Sequence, residues 1–244
     1  MASDLVIFDC DGVLIDSELI ACRSCAACLA EIGIPVTADQ IAERYIGVTA
    51  TAMFADLEAR FGIPLPLDFA EKVRIRLMRR FNSELTAMPG VEAALSAIQS
   101  PVCVASSSAP DRLRHTLSLV GLLSQFDPHI FSATQVARGK PAPDLFLFAA
   151  AQMDAEPSTC LVVEDSVSGV TAAVAAGMRV IGFTGGSHCK PGHAERLRYA
   201  GATGVITAFG DLLPLIQGRT AIPRDLYRPR GRIVGSPALL YYKV

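Results

Sequence analysis

Short apolar runs alternate with longer segments of helical periodicity over much of this chain. The runs are rich in valine, leucine and isoleucine, as expected of strands that are buried on both faces of a sheet. Helical segments between such strands are typical of βα units, in which the strands run parallel. The pattern therefore predicts an α/β fold, with helices on both faces of a parallel sheet. The predicted strands cover residues 4–9, 101–106, 129–132, 160–164, 179–183 and a short run near 205–206.

One long segment interrupts the alternation, because only helical patterns separate the first strand from the second. Gly33 is suited to end the first of these helices, and Thr37 with Gln40 gives the capping-box pattern at the start of the next. An insert directly after the first strand is in the right place to form a lid over the end of that strand. The four predicted helices cover residues 17–32, 37–45, 49–61 and 67–85.

The predicted division is a core made of residues 1–14 and 88–218, a helical cap at 15–87 and a tail at 219–244. The tail contains five arginines and several prolines and glycines. We interpret it as a flexible or docking tail, and the alternative is a basic tail that binds a partner.

Charge and composition narrow the range of partners. The 244 residues are 51% hydrophobic and carry a formal net charge of −2, which gives no reason to expect nucleic acid or an anionic membrane as partner. No uncharged apolar span reaches the roughly 18 residues of a membrane helix, and the first residues lack the basic region of a signal peptide. We expect a cytoplasmic protein that is a monomer or a weak homo-oligomer.

The seven cysteines are odd in number, and several lie in apolar strands, so reduced, buried thiols are expected. Cys22, Cys25 and Cys28 have a C-x2-C-x2-C spacing that metal ligands also show. They lie in an alanine-rich helical segment, where steps of three residues keep side chains on roughly one side. Core packing is the prediction, and metal binding is the alternative.

Two aspartates at the end of the first strand indicate chemistry. The spacing of Asp9 and Asp11 puts both side chains on one side of a strand, and Gly12 allows a sharp turn after them. Two carboxylates this close repel each other unless a cation is bound or one keeps a proton. A hard cation such as Mg²⁺ suits an all-oxygen site. The alternative is a strand end capped by turn-forming aspartates.

Three later segments strengthen the chemical interpretation. Ser106 ends the second strand, Lys140 precedes a helix that begins with two prolines, and Glu164 and Asp165 end the strand at 160–164. The carboxyl ends of parallel strands share one edge of the sheet, where ligands bind. The predicted topology therefore gathers carboxylates, a hydroxyl and an ammonium into a set that can hold a metal and a phosphate.

These four segments resemble the four motifs of the haloacid dehalogenase superfamily in order, spacing and identity, over about residues 4–217. The segments DCDGVLIDSE, KPAPD and VEDS are similar to the β-phosphoglucomutase-like branch, and within it to sugar-phosphate phosphatases of the 6-phosphogluconate phosphatase kind. The resemblance implies a Rossmann-like core with a four-helix cap and a Mg²⁺ cofactor. The true dehalogenases lack the second aspartate, so Asp11 points to phosphoryl transfer.

The resemblance also implies a role for each motif residue. Asp9 would attack phosphorus, while Asp11 would protonate the leaving group and then deprotonate water. Lys140 would offset the charge of the nucleophile and the phosphate. The implied sets are Asp9, Asp11 and Lys140 for catalysis, Cys10, Ser106, Ser107 and Lys140 for phosphate, and Asp9, Asp11, Glu164 and Asp165 for the metal.

Substrate choice is expected to come from the cap, because the core contacts mainly the phosphate. The expected ligand is a small phosphorylated metabolite. The resemblance directs attention to Arg44, Gly47, Thr49 and Lys72 as cap contacts. The alternative for the basic helix that contains Lys72 is a solvated surface.

Three functions stay open. The first is a Mg²⁺-dependent phosphatase that acts on small sugar or sugar-acid phosphates, 6-phosphogluconate among them. The second is a β-phosphoglucomutase-like mutase of hexose phosphates, which is disfavoured because Ala21 and Ala50 stand where those mutases carry a histidine and an arginine. The third is a regulatory or binding protein on the same fold. His188 and His193 lie outside the motifs, and we expect them on the surface.

Overall fold

The computed structural model describes residues 3–216, so the predicted tail at 219–244 lies outside the described residues. The strands in this part of the chain are β1 (Leu5–Phe8), β2 (Val102–Ser106), β3 (Ile130–Ser132), β4 (Cys160–Glu164), β5 (Arg179–Phe183) and β6 (Gly204–Ile206). They form one parallel sheet in the order β3-β2-β1-β4-β5-β6. This is the order of a doubly wound sheet, and the predicted α/β fold is confirmed.

Helices cover both faces of this sheet. The helix bounds are α1 (Glu18–Glu31), α2 (Ala38–Tyr45), α3 (Ala50–Phe61), α4 (Phe69–Glu84), α5 (Val91–Ala97), α6 (Pro110–Leu119), α7 (Leu123–Phe126), α8 (Asp144–Gln152), α9 (Val167–Ala175), α10 (His193–Ala200) and α11 (Leu212–Ile216). One apolar layer contains α5, α6, α7 and α11, and the other contains α8, α9 and α10.

The central strand β1 explains why the chain folds around its end. Val6 and Phe8 point into one apolar layer, while Leu5 and Ile7 point into the other, and all four are essentially inaccessible to water. A strand that is buried on both faces must be apolar throughout, as the sequence is here. After β1 the chain goes first to β2 and β3 on one side, and later to β4 on the other side. The end of β1 therefore lies at the topological switch point, where such sheets bind ligands.

Four helices, α1 to α4, are inserted between β1 and β2. Ile15 and Ala87 form a bridge that places the entry and exit of the insert side by side. The predicted capping box at the start of α2 is present, with Thr37 and Gln40 bonded reciprocally. The domain boundaries at 14/15 and 87/88 stay a prediction.

The insert has an apolar cluster of its own. Cys22, Cys25 and Cys28 are buried there among side chains that include Leu57 and Phe69. All seven cysteines are free thiols, and six of them are buried. The prediction that these cysteines pack a core is confirmed, and in the described residues they do not form a candidate metal cluster.

One polar network in the insert joins α2 to α3. Tyr45 donates a hydrogen bond of 2.5 Å to Asp56 Oδ2, and Arg60 donates one of 3.2 Å to the Tyr45 hydroxyl. Arg44 forms an ion pair with Asp56 at 3.1 Å. The hydrogen bond from Tyr45, followed by that from Arg44, lowers the pKa of Asp56 below its ordinary value.

Tyr45→Phe should lower the free energy of unfolding by about 1 kcal/mol, because a hydrogen bond to a carboxylate is lost. A carboxylate with a lowered folded-state pKa stabilises the fold above its ordinary pKa, and this contribution disappears as the pH falls through the lowered value. The difference between wild type and variant in urea unfolding should therefore shrink in acid. Tyr199→Phe is the control, because Tyr199 is 95% exposed. Equal losses in the two variants would contradict this assignment.

Candidate active site

Lys140 lies at the centre of the site. Its Nζ donates to Asp9 Oδ1 at 2.7 Å, to Glu164 Oε1 at 2.7 Å and to the carbonyl oxygen of Ala105 at 3.0 Å. An ammonium group has three donors, so all of them are used. The side chain is only 4% exposed. One buried cation therefore joins the carboxyl ends of β1, β2 and β4.

The charges around this lysine are unbalanced. Burial raises the pKa of Asp9 well above its ordinary value, Lys140 opposes the rise, and the neighbouring Glu164 and Asp165 add to it. Burial alone would lower the pKa of Lys140, but Asp9 and Glu164 raise it above its ordinary value. Carboxylates outnumber the ammonium group, which is the situation that a divalent cation relieves.

The donor set fits Mg²⁺. Carboxylate oxygens of Asp9, Glu164 and Asp165 lie within 4.8 Å of one another, and all three residues are buried. Hard cations of this size take oxygen ligands. Glu164 is already engaged, because Oε1 accepts from Lys140 and Oε2 accepts from the N–H and the hydroxyl of Ser166 at 2.7 and 2.9 Å. Asp9 and Asp165 are consequently the better placed of the three to hold a metal.

Asp11 lies in a different environment. Its Oδ1 accepts from Ser17 at 2.6 Å and from Arg112 at 2.7 Å, and its Oδ2 accepts from Ser108 at 2.6 Å. Burial opposes ionisation of Asp11, but Arg112 and the two serines outweigh it, and the pKa is lowered. The carboxylate cluster includes three of the four predicted metal ligands, and Asp11 is the residue that it lacks.

The predicted phosphate-binding residues line the ends of β1 and β2. Ser106 is buried, and its hydroxyl accepts the N–H of Ser108 at 3.2 Å. Ser107 is exposed at the same strand end. Cys10 is buried, and its carbonyl oxygen accepts the N–H of Leu14 at 2.9 Å, which helps to close the turn after β1. Gly12 in this turn has a φ of +78°, as the turn requires.

The predicted cap residues Arg44, Thr49 and Lys72 have partners within the insert. Arg44 pairs with Asp56, and Lys72 pairs with Asp68 at 3.1 Å. Thr49 accepts the N–H of Ala52 and thereby caps α3. Gly47 has a φ of +81° and lies in the turn before that cap. In residues 3–216, the side-chain partners of Arg44, Thr49 and Lys72 all belong to the insert.

Several site residues were not predicted. Arg112 holds Asp11 and lies 5.3 Å from the ring centroid of Phe81 on α4, so it links the core site to the insert. Glu18 is in the first turn of α1, where burial, followed by repulsion from Asp11 and Asp165, raises its pKa to about 7. The acidic strand ends are a sequence signal for the site, whereas the pairing of Arg112 with Asp11 depends on tertiary structure.

The expectation that His188 and His193 are surface residues is wrong. They are 4% and 7% exposed. His188 Nε2 lies 2.9 Å from Asp165 Oδ2, and His193 Nε2 lies 2.6 Å from the Asp165 carbonyl oxygen. They were expected on the surface because they lie outside the motifs, but both rings contact Asp165, at the end of β4.

This arrangement, a buried lysine between carboxylates at the switch point of a parallel sheet, is that of an α/β enzyme. The family model for haloacid dehalogenase-like hydrolases matches residues 3–177. The 6-phosphogluconate phosphatase of Escherichia coli is 35% identical over 189 residues, which cover 77% of this chain and 86% of that protein. The chain therefore belongs to the haloacid dehalogenase-like hydrolases and is an enzyme of that family.

Solved structures agree with this assignment. A haloacid dehalogenase-like protein of unknown function from Agrobacterium tumefaciens is 44% identical, with a TM-score of 0.81 over 89% of this chain and 99% of that one. A hydrolase of the family from Deinococcus radiodurans, solved with bound phosphate and sodium, is 33% identical, with a TM-score of 0.73 over 89% of this chain and 96% of that one. Across residues 3–216, no helix has the length and apolar character needed to cross a membrane.

Gly169→Ala should destabilise the protein by about 1–3 kcal/mol through overpacking. Gly169 lies in the first turn of α9, and a Cβ at this position would overlap the Glu164 carboxylate. The matched control is Gly210→Ala, where a Cβ would meet nothing within 4 Å. Urea unfolding of both variants measures the effect. Equal stability of the two variants would mean that the close approach of α9 to Glu164 is not a constraint.

Proposed function

We propose that this enzyme is a Mg²⁺-dependent phosphatase that hydrolyses small sugar or sugar-acid phosphates through an aspartyl-phosphate on Asp9. The observation that carries the proposal is the contact of Asp9 with Lys140 at the switch point, 2.7 Å from oxygen to nitrogen. A carboxylate that is to attack phosphorus must be ionised although it is buried, and a fixed ammonium group favours that form.

In the first step a carboxylate oxygen of Asp9 forms a bond to phosphorus, and the bond from phosphorus to the ester oxygen breaks. Lys140 offsets the negative charge that gathers between nucleophile and phosphate. The hydroxyl of Ser106, at the end of β2, donates to a phosphoryl oxygen. Mg²⁺ held by Asp9 and Asp165 supplies further positive charge to the phosphoryl oxygens when it is bound.

Asp11 moves the proton in both steps. It gives a proton to the departing alkoxide, and it later takes one from the water that attacks the aspartyl-phosphate, which regenerates Asp9 and releases phosphate. The contact with Arg112 favours the ionised form, which is the form that the second step needs. A phosphate dianion that enters beside Asp11 raises its pKa and favours the protonated form that the first step needs.

The substrate class is supported by the relatives and by the insert. The E. coli relative is named for 6-phosphogluconate, so a sugar-acid phosphate is the first compound to test. Arg112 contacts both Asp11 and Phe81 of α4, and Glu18 of α1 is repelled by Asp11, so we include both residues among the proposed sugar contacts. The predicted cap contacts Arg44, Gly47, Thr49 and Lys72 remain part of the proposal, and Arg44 and Lys72 would have to exchange their present partners for substrate.

Asp9→Asn should reduce phosphate release from an aryl phosphate by at least about 10³-fold, because an amide does not form the phospho-enzyme. The control is Asp4→Asn, an exposed aspartate just before β1. Circular dichroism should show both variants folded. A rate for Asp9→Asn within tenfold of that of Asp4→Asn would refute Asp9 as the nucleophile.

Hydrolysis should require Mg²⁺. The metal-stripped enzyme in excess chelator should release no phosphate from 6-phosphogluconate, and added Mg²⁺ should restore release, because the carboxylates need a cation.

Hydrolysis should also exceed any mutase activity. With β-glucose 1-phosphate and a trace of glucose 1,6-bisphosphate, no glucose 6-phosphate should form, since Ala21 and Ala50 provide no cation for a distal phosphate. Fast isomerisation without phosphate release would establish the mutase instead.

A further inference from the structure

A histidine outside the four motifs contacts the best-placed metal ligand. His188 lies in the loop after β5, its side chain is 1% exposed, and its Nε2 is 2.9 Å from Oδ2 of Asp165. In the described chain this is the one basic side-chain nitrogen within 4.0 Å of the Asp165 carboxylate. The contact engages Oδ2 and leaves Oδ1 available on the same group.

Two glycines make room for the His188 ring. A Cβ on Gly12, in the turn after β1, would overlap Asp165 Oδ2 and come within 2.9 Å of His188 Cε1. A Cβ on Gly186 would come within 2.7 Å of His188 Nδ1 and Cε1. The ring and the carboxylate therefore occupy a slot that side chains at these two positions would close. Gly12 thus has a second role besides its positive φ.

The loop itself is fastened at the next residue. Ser187 donates from its hydroxyl to Asp16 Oδ1 at 2.7 Å and from its N–H to the same oxygen at 3.2 Å. Asp16 lies in the entry to the insert, next to the bridge between Ile15 and Ala87. His188 is therefore held from three directions, by Asp16 through Ser187 and by the glycines on either side.

The two histidines differ in their contacts. His188 Nε2 lies 2.9 Å from Asp165 Oδ2 and 3.4 Å from Cys189 Sγ, while its buried Nδ1 has no partner in the described residues. His193 donates from Nε2 to the Asp165 carbonyl oxygen, and its Nδ1 accepts from Arg196 at 2.9 Å. Both nitrogens of His193 are thus occupied. His188, Cys189 and His193 are close enough together that they could hold a metal ion of their own, but in this structure the Cys189 thiol is hydrogen-bonded to His188 Nε2.

We propose that His188 is a positioning residue, whose Nε2–H donates to Asp165 Oδ2 and so fixes the carboxylate while its second oxygen stays available to a cation. The inference rests on the proposed function in one respect, namely that Asp165 binds Mg²⁺. Hydrogen bonds from such second residues orient metal ligands, and their loss typically weakens metal binding by about 10–100-fold.

The test compares His188→Gln with His188→Met. The two side chains are similar in size, but only glutamine keeps an N–H that can reach Asp165. Binding of Mn²⁺ to the full-length, metal-stripped protein is followed through the free-ion signal in electron paramagnetic resonance. We expect the Met variant to bind Mn²⁺ about 10–100-fold more weakly than wild type, and the Gln variant to stay within a few-fold of wild type.

His193→Ala is the matched control, because it removes a donor to the backbone of Asp165 and leaves the carboxylate contact in place. It should lower thermal stability and leave Mn²⁺ affinity close to that of wild type. Two results would overturn the proposal for His188. One is equal Mn²⁺ affinity in His188→Gln and His188→Met, and the other is an equal loss of Mn²⁺ affinity in His188→Met and His193→Ala. The Mn²⁺ titration contains no phosphate ester, so it does not depend on catalysis. If the wild-type protein binds Mn²⁺ tightly but hydrolyses no phosphate ester, the proposed phosphatase activity is refuted, whereas the result for His188 still holds.

Discussion

A single buried ammonium group holds the active edge of this sheet together. Lys140 joins Asp9 on β1, the carbonyl oxygen of Ala105 on β2 and Glu164 on β4 through three short contacts. Removing one partner of such a buried pair typically costs about 3–5 kcal/mol, because the other charge stays behind without compensation. Lys140 is therefore a structural clamp, and it also opposes the rise in the pKa of Asp9 that burial causes.

The rest of the site follows from where this lysine lies. Glu164 faces Lys140 with one oxygen and the start of α9 with the other, so α9 approaches closely at Gly169. Asp165, the next residue, is then turned towards Asp9 and His188. The carboxylates still outnumber the ammonium group, which is the situation that a divalent cation would relieve.

Asp9 and Asp11 are two residues apart, yet their surroundings separate their pKa values. Burial and neighbouring carboxylates raise the pKa of Asp9, while Arg112 and two serines lower that of Asp11. Such pairs mark the assignment of nucleophile and proton carrier in many enzymes. In the proposed mechanism, bound Mg²⁺ and the substrate phosphate would further change the charge that each aspartate experiences.

Periodicity and strand-end chemistry were enough to predict the sheet, the inserted helices and the core of the site. Asp9, Lys140, Glu164 and Asp165 each follow or precede an element that the apolar pattern marks clearly. The supporting residues were out of reach for a physical reason. Arg112 and His188 contact the site across 101 and 23 residues of chain, and neither contact leaves a periodic signal.

The most direct test of this account is to trap the covalent intermediate. The enzyme, Mg²⁺ and the most active sugar phosphate are mixed, quenched in acid during turnover, digested and examined by mass spectrometry. We expect a phosphoryl group on the peptide that contains Asp9. Steady turnover with that peptide unmodified, or with the phosphoryl group on another residue, would contradict it.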